Sequence, residues 1–387
     1  MAERVRIVEL SLDFGHRRTL QSHSDTSAQR RATIDPVTVT EANLGPRLVV
    51  AAPDKLRGTL SAAEAVAAIS AGAARAGWGC IGLPMADGGE GFVAAIAGGE
   101  PGAVMHAVAV HGPLGALVEA AWAVLSDGTA VVEMAQASGL LLAGGAGGND
   151  ALAATTKGTG ELIAAAIEAG ATSVLVGLGG SATTDGGLGA IDVLVRRVGV
   201  GPAGCLPPGV DLVIACDVET QFVEAARVYG PQKGATPAQA VLLERRLRLL
   251  AARYQRRFGV DVTGLAGGGA AGGLAGGLAA IGGRIVPGFD VVATALGLAA
   301  AVRRADLVVT AEGRLDATSF AGKTVGGVCR VAAGAGVGVL VIAGEVAPDL
   351  ALPAGVTATD LSDIFGADRA HNDPAGCIVE VVAAALA

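Results

Sequence analysis

Charged side chains gather on glycine-rich segments that follow predicted β-strands. The clearest segments cover residues 52–59, 85–91, 177–187 and 311–324. With two neighbouring loops they carry carboxylates and cations, namely Asp54, Asp87, Glu90, Asp185, Asp217, Glu312 and Asp316 with Lys55, Arg57, Lys233, Arg314 and Lys323. This mixture is typical of phosphoryl transfer, in which cations stabilise the phosphoryl group, carboxylates hold Mg²⁺ and an aspartate accepts the hydroxyl proton. The alternative interpretation is a set of helix caps and surface ion pairs.

The segment 177–187 has the strongest signal of the four. It reads Gly-Leu-Gly-Gly-Ser-Ala-Thr-Thr-Asp-Gly-Gly, follows a predicted strand and leads into a predicted helix. The backbone N–H groups of Gly179 and Gly180 at such a junction suit an anion. Ser181 adds a hydroxyl donor, and Asp185 is placed to accept a proton or to hold a metal ion.

Other catalytic motifs do not fit this sequence. Residues 177–182 match a dinucleotide fingerprint, but no acidic residue ends a second strand about 20 residues later. Residues 317–324 resemble a phosphate-binding P-loop, but Ala317 stands where that motif requires glycine. Residues 179–183 lack the last glycine of a nucleophile elbow, and no histidine or cysteine cluster has zinc spacing.

Short apolar runs alternate with helical patterns and must position these loops. Predicted strands cover residues 47–52, 129–134, 173–176, 212–215, 306–310 and 337–343, with helices near 159–169, 236–258 and 291–303. Ser61 and Glu64 form a capping-box pattern at the start of another helix. A predicted hairpin, 104–110 with 117–124, interrupts the alternation. We therefore predict an α/β fold with a doubly wound domain built from both chain ends and a second domain inserted, and ligands beyond the carboxyl ends of its strands.

Composition excludes several partner classes. The chain has 387 residues, of which 60 are glycine, 51% are hydrophobic and 17% are charged, so neither a collagen nor a disordered chain is expected. A net charge of −8 argues against nucleic acid, and no apolar run of about 18 residues predicts a membrane span. Five cysteines without a C-x-x-C pair predict a cytoplasmic protein. Residues 1–45 are expected to form a partly disordered extension.

Long motifs occur in a fixed order along the chain. They are Ala-Pro-Asp-Lys-Leu-Arg-Gly-Thr at 52–59, Ala-Asp-Gly-Gly-Glu-Gly at 86–91, Glu-Met-Ala-Gln-Ala-Ser-Gly-Leu at 133–140, Thr-Thr-Lys-Gly-Thr-Gly-Glu-Leu at 155–162, the segment 177–187, Gly-Pro-Gln-Lys-Gly-Ala at 230–235 and Glu-Gly-Arg-Leu-Asp at 312–316, followed by Gly322 and Lys323. In these motifs the chain resembles the bacterial type I glycerate kinase family, from about Leu48 to Val346.

The resemblance implies ATP-dependent phosphorylation of D-glycerate to 2-phosphoglycerate, with ATP and Mg²⁺ as cofactors. It also implies a flavodoxin-like domain, assigned to residues 46–91 and 290–387, with an inserted mixed α/β domain at 92–289 and the active site between them. Alternatives are a kinase that gives 3-phosphoglycerate or acts on another small hydroxy acid, and a non-catalytic small-anion-binding protein. A homodimer is left open.

Residue roles follow from the motifs and their chemistry. Asp185 is the first choice for general base, with Asp87 as its rival. The remaining predictions are Arg57 as catalytic, Asp54, Lys55, Arg57, Ser181 and Lys233 as substrate-binding, Gly179, Gly180, Glu312, Asp316 and Lys323 as binding ATP and Mg²⁺, and Asp217 and Glu312 as metal ligands.

Overall fold

A computed structural model describes residues 47–56, 58–201, 204, 206–320 and 323–387. The predicted extension at 1–45 lies outside the described residues, and so does Arg57. None of the helices in this described part is long and apolar enough to span a membrane.

The described strands form two sheets. They are Leu48–Ala51 (β1), Gly79–Gly82 (β2), Val104–His111 (β3), Leu117–Val124 (β4), Ala130–Glu133 (β5), Ser173–Gly177 (β6), Asp211–Ala215 (β7), Arg284–Val286 (β8), Leu307–Leu315 (β9), Gly338–Val346 (β10) and Val356–Asp360 (β11).

Helices flank both sheets. They are Ala62–Arg75 (α1), Phe92–Gly99 (α2), Ala135–Ser138 (α3), Gly145–Gly148 (α4), Lys157–Glu168 (α5), Leu188–Arg197 (α6), Ala225–Tyr229 (α7), Pro237–Phe258 (α8), Ala270–Ala280 (α9), Gly288–Ala295 (α10), Leu298–Val302 (α11), Thr324–Ala335 (α12), Leu361–Phe365 (α13), Ala367–Asn372 (α14) and Pro374–Leu386 (α15).

The first sheet is parallel throughout and runs in the order β11-β10-β9-β1-β2. It is assembled from both ends of the described chain, because β1 pairs with β2 on one side and with β9 on the other. The strand order therefore reverses between β1 and β9. In open α/β sheets such a reversal opens a crevice at the carboxyl ends of the two strands, where ligands bind.

The second sheet runs in the order β3-β4-β5-β6-β7-β8 and uses only the middle of the chain. Its first two pairings are antiparallel, and the rest are parallel. The predicted hairpin is confirmed, since residues 104–111 pair with residues 117–124. The parallel strands bring the ends of β5, β6 and β7 to one edge.

Two helices, α2 and α10, lie in a hydrophobic core that both sheets share. Phe92 and Phe289 from these helices belong to the same buried cluster as Val50 of β1 and Val131 of β5. Adjacent side chains of a strand point to opposite faces of its sheet. The faces that point away from the shared core are therefore covered by different helices. Helices α1 and α15 cover the first sheet, and α5, α6, α8 and α9 cover the second. The domain boundaries at residues 91 and 290 stay a prediction. The core that both sheets share contains α2 and α10, and both helices begin close to these boundaries.

Two predicted element boundaries are wrong. The strand predicted at 306–310 continues to Leu315, because its pairing with β10 extends to Leu315 opposite Val346. Glu312 and Arg314 therefore lie on a strand rather than in a loop. The helix predicted at 291–303 is two helices, α10 and α11, separated at Gly297, whose φ of 64° breaks the helix.

Candidate active site

The loop Ala86–Gly91 joins the two sheets. It leaves β2 of the first sheet, yet the Gly88 carbonyl accepts a hydrogen bond from Gly179 N–H, at 3.2 Å, beyond β6 of the second sheet. A Cβ atom on Gly179 would come within 2.1 Å of Gly89 Cα, so only glycine permits this approach. The loop thus carries Asp87 into the region where the carboxyl ends of both sheets meet.

Asp87 interacts electrostatically with two other carboxylates. Its charge raises the pKa of both Asp54 and Asp217, so each of them is within electrostatic reach of Asp87. Among the described residues, Gly89 N–H is the only hydrogen-bond donor to Asp87, at 3.1 Å to Oδ1. Asp87 is half-buried, and its second oxygen accepts no hydrogen bond from the part of the chain that the structure describes.

Asp54 follows β1 at the reversal point of the first sheet. Its Oδ1 accepts Lys55 N–H at 2.7 Å, and its Oδ2 accepts the Thr324 hydroxyl at 3.0 Å. Burial raises the pKa of Asp54, Lys55 partly opposes the rise, and Asp87 adds to it. The Lys55 ammonium lies 3.6 Å from Asp54 Oδ1, so a cation and a carboxylate share this end of the site.

Asp217 follows β7 and accepts hydrogen bonds from the beginning of α10. Gly288 N–H donates to Oδ1 at 2.7 Å, and Phe289 N–H donates at 3.5 Å. Burial raises the pKa of Asp217 to about 6, against the effect of the Gly288 hydrogen bond. Its Oδ2 is buried and has no hydrogen-bond partner among the residues described.

Glu312 lies on β9 and also has an unpartnered buried oxygen, Oε1, among the described groups. Burial raises its pKa to about 7, while a hydrogen bond from Ser319 and the charge of Lys323 lower it. Asp316, by contrast, is held by Thr318, whose N–H and hydroxyl both donate to Oδ1 and lower the Asp316 pKa. Lys323 Nζ donates to the Thr318 hydroxyl at 2.9 Å, so Glu312, Asp316 and Lys323 lie together, whereas Gly179 and Gly180 of the same predicted group lie beyond β6.

Asp185 is saturated with hydrogen bonds. Its Oδ2 accepts the N–H and hydroxyl of Thr156, at 2.8 and 2.9 Å, and longer bonds from the Thr155 hydroxyl and Gly189 N–H, at 3.3 Å each. Its Oδ1 accepts Gly187 N–H at 3.0 Å. Five donors from two segments occupy both oxygens of Asp185, which leaves little room for a substrate hydroxyl to bind there. The contacts favour a structural role for Asp185 and favour its rival, Asp87, as the base.

Lys233 is buried behind the loop 177–187. Only 3% of its surface is exposed, and its Nζ donates to the Thr183 carbonyl at 2.7 Å. Burial lowers its pKa to about 7, and Asp185 partly opposes this shift. The ammonium also lies 5.9 Å from the ring centre of Tyr229. In this arrangement Lys233 supports the loop, and its predicted substrate contact stays a prediction.

The loop 177–187 begins with the residues predicted to bind an anion. Gly180 has a φ of 69° and its carbonyl accepts Leu140 N–H at 2.7 Å. Ser181 forms a bridge with Gly139 and is half-exposed. These contacts fix the loop beside the Glu133–Leu140 motif, and the anion-binding role of Gly179 and Gly180 stays a prediction.

A cleft of about 540 Å³ opens beside Asp54. Asp54, Lys55 and Glu90 supply its charged end, while Leu60 and Met85 contribute to an apolar wall. The volume lies in the usual range for small-molecule sites. Asp54 and Lys55 line the cleft together, while Asp87, Asp217, Glu312, Asp185 and Lys233 lie outside its lining.

Known proteins match this chain over most of its length. The model of the glycerate kinase family matches residues 49–199 and 205–372. The chain belongs to the glycerate kinase family. Glycerate 2-kinase of Escherichia coli K12 is 40% identical over 332 residues, which cover 78% of this chain and 86% of that protein. Glycerate kinase of Bacillus subtilis 168 is 38% identical over 329 residues, with coverages of 78% and 86%.

A solved structure of the same family has a similar fold. It is a Salmonella typhimurium LT2 protein proposed to be glycerate kinase 2, with 34% identity and a TM-score of 0.73. The match covers 88% of this chain and 97% of that one. The predicted α/β class and the enzyme assignment to glycerate kinases are confirmed.

Glycerate kinases use ATP. The predicted metal ligands, Asp217 and Glu312, can be compared with the carboxylate oxygens that the structure offers. Asp217 and Glu312 both offer a buried, unpartnered oxygen, but Asp217 has Asp87 as a charged neighbour, whereas Glu312 has Asp54. In the described part of the chain, no three His, Cys, Asp or Glu residues are grouped to hold a metal ion. Mg²⁺ needs only one or two carboxylates when phosphates complete its shell, so these donors fit it as single ligands.

Sequence reasoning missed several groups in this family member's site. Thr324 binds Asp54, and Thr155 and Thr156 bind Asp185. Glu133 ends β5 and accepts hydrogen bonds from the loop of Asp87. Thr155, Thr156 and Glu133 lie in the long motifs, which were the available signal, but their partners are 29 to 42 residues away along the chain.

Proposed function

We propose that this protein transfers the γ-phosphoryl group of ATP to the 2-hydroxyl of D-glycerate, giving 2-phosphoglycerate. Family membership supplies the reaction class. The observation that carries the residue assignment is the position of Asp87 on the loop that links the two sheets, with Asp54 and Asp217 each within its electrostatic reach. The name of the Escherichia coli relative, glycerate 2-kinase, supports the position of transfer.

Asp87 is the proposed general base. It is half-buried, accepts a single hydrogen bond from the described residues and lies on the loop that joins the sheets. Its free oxygen can accept the proton of the substrate hydroxyl as the bond to phosphorus forms. Lys55, at the edge of the cleft, is the proposed cation for the substrate carboxylate. Arg57 keeps its predicted catalytic role.

Glu312, Asp316 and Lys323 form the proposed ATP end of the site. Lys323, held by Thr318, supplies positive charge beside Glu312. Mg²⁺, when bound, supplies charge neutralisation for the phosphates, with Glu312 or Asp217 as its carboxylate ligand.

The proposed architecture is a flavodoxin-like domain with an inserted domain. Numbered within the first sheet alone, its strands run in the order 2-1-3-4-5, which is the flavodoxin order. Asp54 follows β1 and Glu312 lies on β9, the two strands at the reversal point. A cytoplasmic location is also proposed, supported by the unpaired state of the described cysteines, Cys80, Cys216, Cys329 and Cys377.

A coupled assay tests this function. Purified protein receives D-glycerate, ATP and Mg²⁺, with enolase and pyruvate kinase as reporters. Because enolase consumes 2-phosphoglycerate, a signal without phosphoglycerate mutase is the expected result. A signal only after mutase is added would assign the product as 3-phosphoglycerate. No signal from folded protein would refute glycerate as the substrate and favour another hydroxy acid or binding alone.

A further inference from the structure

Glu133 is a buried carboxylate that the mechanism above does not use. It ends β5 of the second sheet and is only 2% exposed. Gly91 N–H lies 3.2 Å from each of its two oxygens, and Val93 N–H donates to Oε2 at 3.3 Å. Both donors come from the segment that follows Asp87, so Glu133 reaches from one sheet to a loop of the other.

The segment that Glu133 holds cannot cap itself. Gly91 is the residue before α2, has a φ of 91° and carries no side chain to accept the free N–H groups of the first turn. The Glu133 carboxylate accepts these N–H groups instead, although it lies 42 residues away in the sequence. A carboxylate at a helix N-terminus is also stabilised by the helix dipole. The cap therefore depends on the two sheets being packed together.

A second anchor fixes the other side of the same loop. Gly179 N–H donates to the Gly88 carbonyl, and Gly89 packs against the Gly179 backbone. Asp87 directly precedes this anchor, and the Glu133 cap follows the anchor two residues later. A displacement of about 1 Å in a reacting group can reduce a rate by about a hundredfold, so the loop position matters for proton transfer.

We propose that Glu133 is a positioning residue that holds the Asp87 loop against the second sheet in its catalytic position. This inference rests on the proposed function, because it takes Asp87 as the general base. Glu133 does not contact the substrate in this assignment. It acts through the N–H groups of Gly91 and Val93.

The test compares Glu133→Gln with a matched control, Asp306→Asn. Asp306 is also a carboxylate that accepts a backbone N–H, from Leu48 at 2.7 Å, but it lies at the amino end of the first sheet. The glutamine keeps one oxygen that can accept both N–H groups, as Oε2 does, but it removes the negative charge and replaces the second oxygen near Gly91 N–H by an NH₂ donor. We expect Glu133→Gln to lower kcat about ten- to a hundredfold, with KM values for ATP and D-glycerate within about threefold of wild type.

Hydrogen exchange supplies the readout that a general loss of stability would not produce. In Glu133→Gln, amides at 86–95 should exchange at least about tenfold faster, while the remaining amides match the control variant. Should the glutamine variant fail to fold, Glu133→Asp is used, which keeps the charge but is one methylene shorter. It should give the same pattern with a smaller change.

Each outcome decides the matter. Faster local exchange with a lowered kcat supports the proposal. Unchanged exchange at 86–95, or faster exchange with kcat within twofold of wild type, overturns it. If the wild-type protein has no glycerate kinase activity, the proposed function fails, while the exchange data still show whether Glu133 holds the loop.

Discussion

Two glycine-rich loops, 86–91 and 177–187, each carry one aspartate beyond a parallel strand, but the two aspartates have different surroundings. Asp185 accepts hydrogen bonds from five donors, whereas Asp87 accepts one from the described residues. The longer loop has the richer motif, and its aspartate connects two chain segments by accepting hydrogen bonds from both. The shorter loop bridges the sheets, and one oxygen of its aspartate accepts no hydrogen bond from the described residues. Glycine content alone therefore does not separate a catalytic loop from a structural one.

The largest expected effect is at Asp87. Asp87→Asn removes the proposed proton acceptor, so kcat should fall about a thousandfold, within the range for loss of general-base catalysis. The thermal midpoint should stay within a few degrees of wild type, because only one hydrogen bond to the side chain is affected. Steady-state kinetics and thermal unfolding check both parts. A variant with near-normal turnover would return the role of base to Asp185.

Asp185→Asn should act mainly on stability. An amide can satisfy fewer of the five donors, and hydrogen bonds to charged groups contribute about 1.5–3 kcal/mol each but are not additive. We expect the free energy of unfolding to fall by about 3 kcal/mol, measured in denaturant. The kcat of the folded fraction should stay within tenfold of wild type. A normal stability with lost turnover would contradict the structural role.

Lys55→Met tests the substrate end of the site. Loss of a charged partner for the glycerate carboxylate should raise the KM for D-glycerate about thirtyfold, equivalent to about 2 kcal/mol. The KM for ATP should change little. Lys157→Met is a suitable control, because Lys157 is a partly exposed lysine paired with Glu161, outside the cleft. Equal effects on both substrates would contradict the assignment of Lys55 to glycerate.

The smallest effect concerns Lys233 beneath the longer loop. Its folded-state pKa of about 7 is below the ordinary value of 10.5, so between these pH values the unfolded state holds a proton that the folded state lacks. Stability should therefore rise with pH in this window, by about 1 kcal/mol from pH 7 to 8. In Lys233→Met this rise of the free energy of unfolding with pH should be absent. Denaturant unfolding of both proteins at the two pH values measures the difference, and equal slopes would contradict it.

Much of the local structure could be predicted from the sequence, because local patterns determine it. Ser61 and Glu64 form the predicted capping box at the start of α1, and the hairpin and the long helix α8 lie where their patterns indicated. The strand β9 was underestimated, because Glu312 and Arg314 look like loop residues. Arg314 instead pairs with Glu345 of β10 across the sheet, a partner that local sequence cannot reveal.

The sequence by itself determined the family, the α/β class and the set of glycine-rich motifs, since these depend on residue types at fixed short spacings. Only the tertiary structure decided which carboxylates are occupied and which are free. Asp185 meets Thr155 and Thr156 across 29 or 30 residues, and Glu133 meets Gly91 across 42. The availability of a carboxylate depends on donors that folding brings to it from distant segments, and no local pattern contains that information.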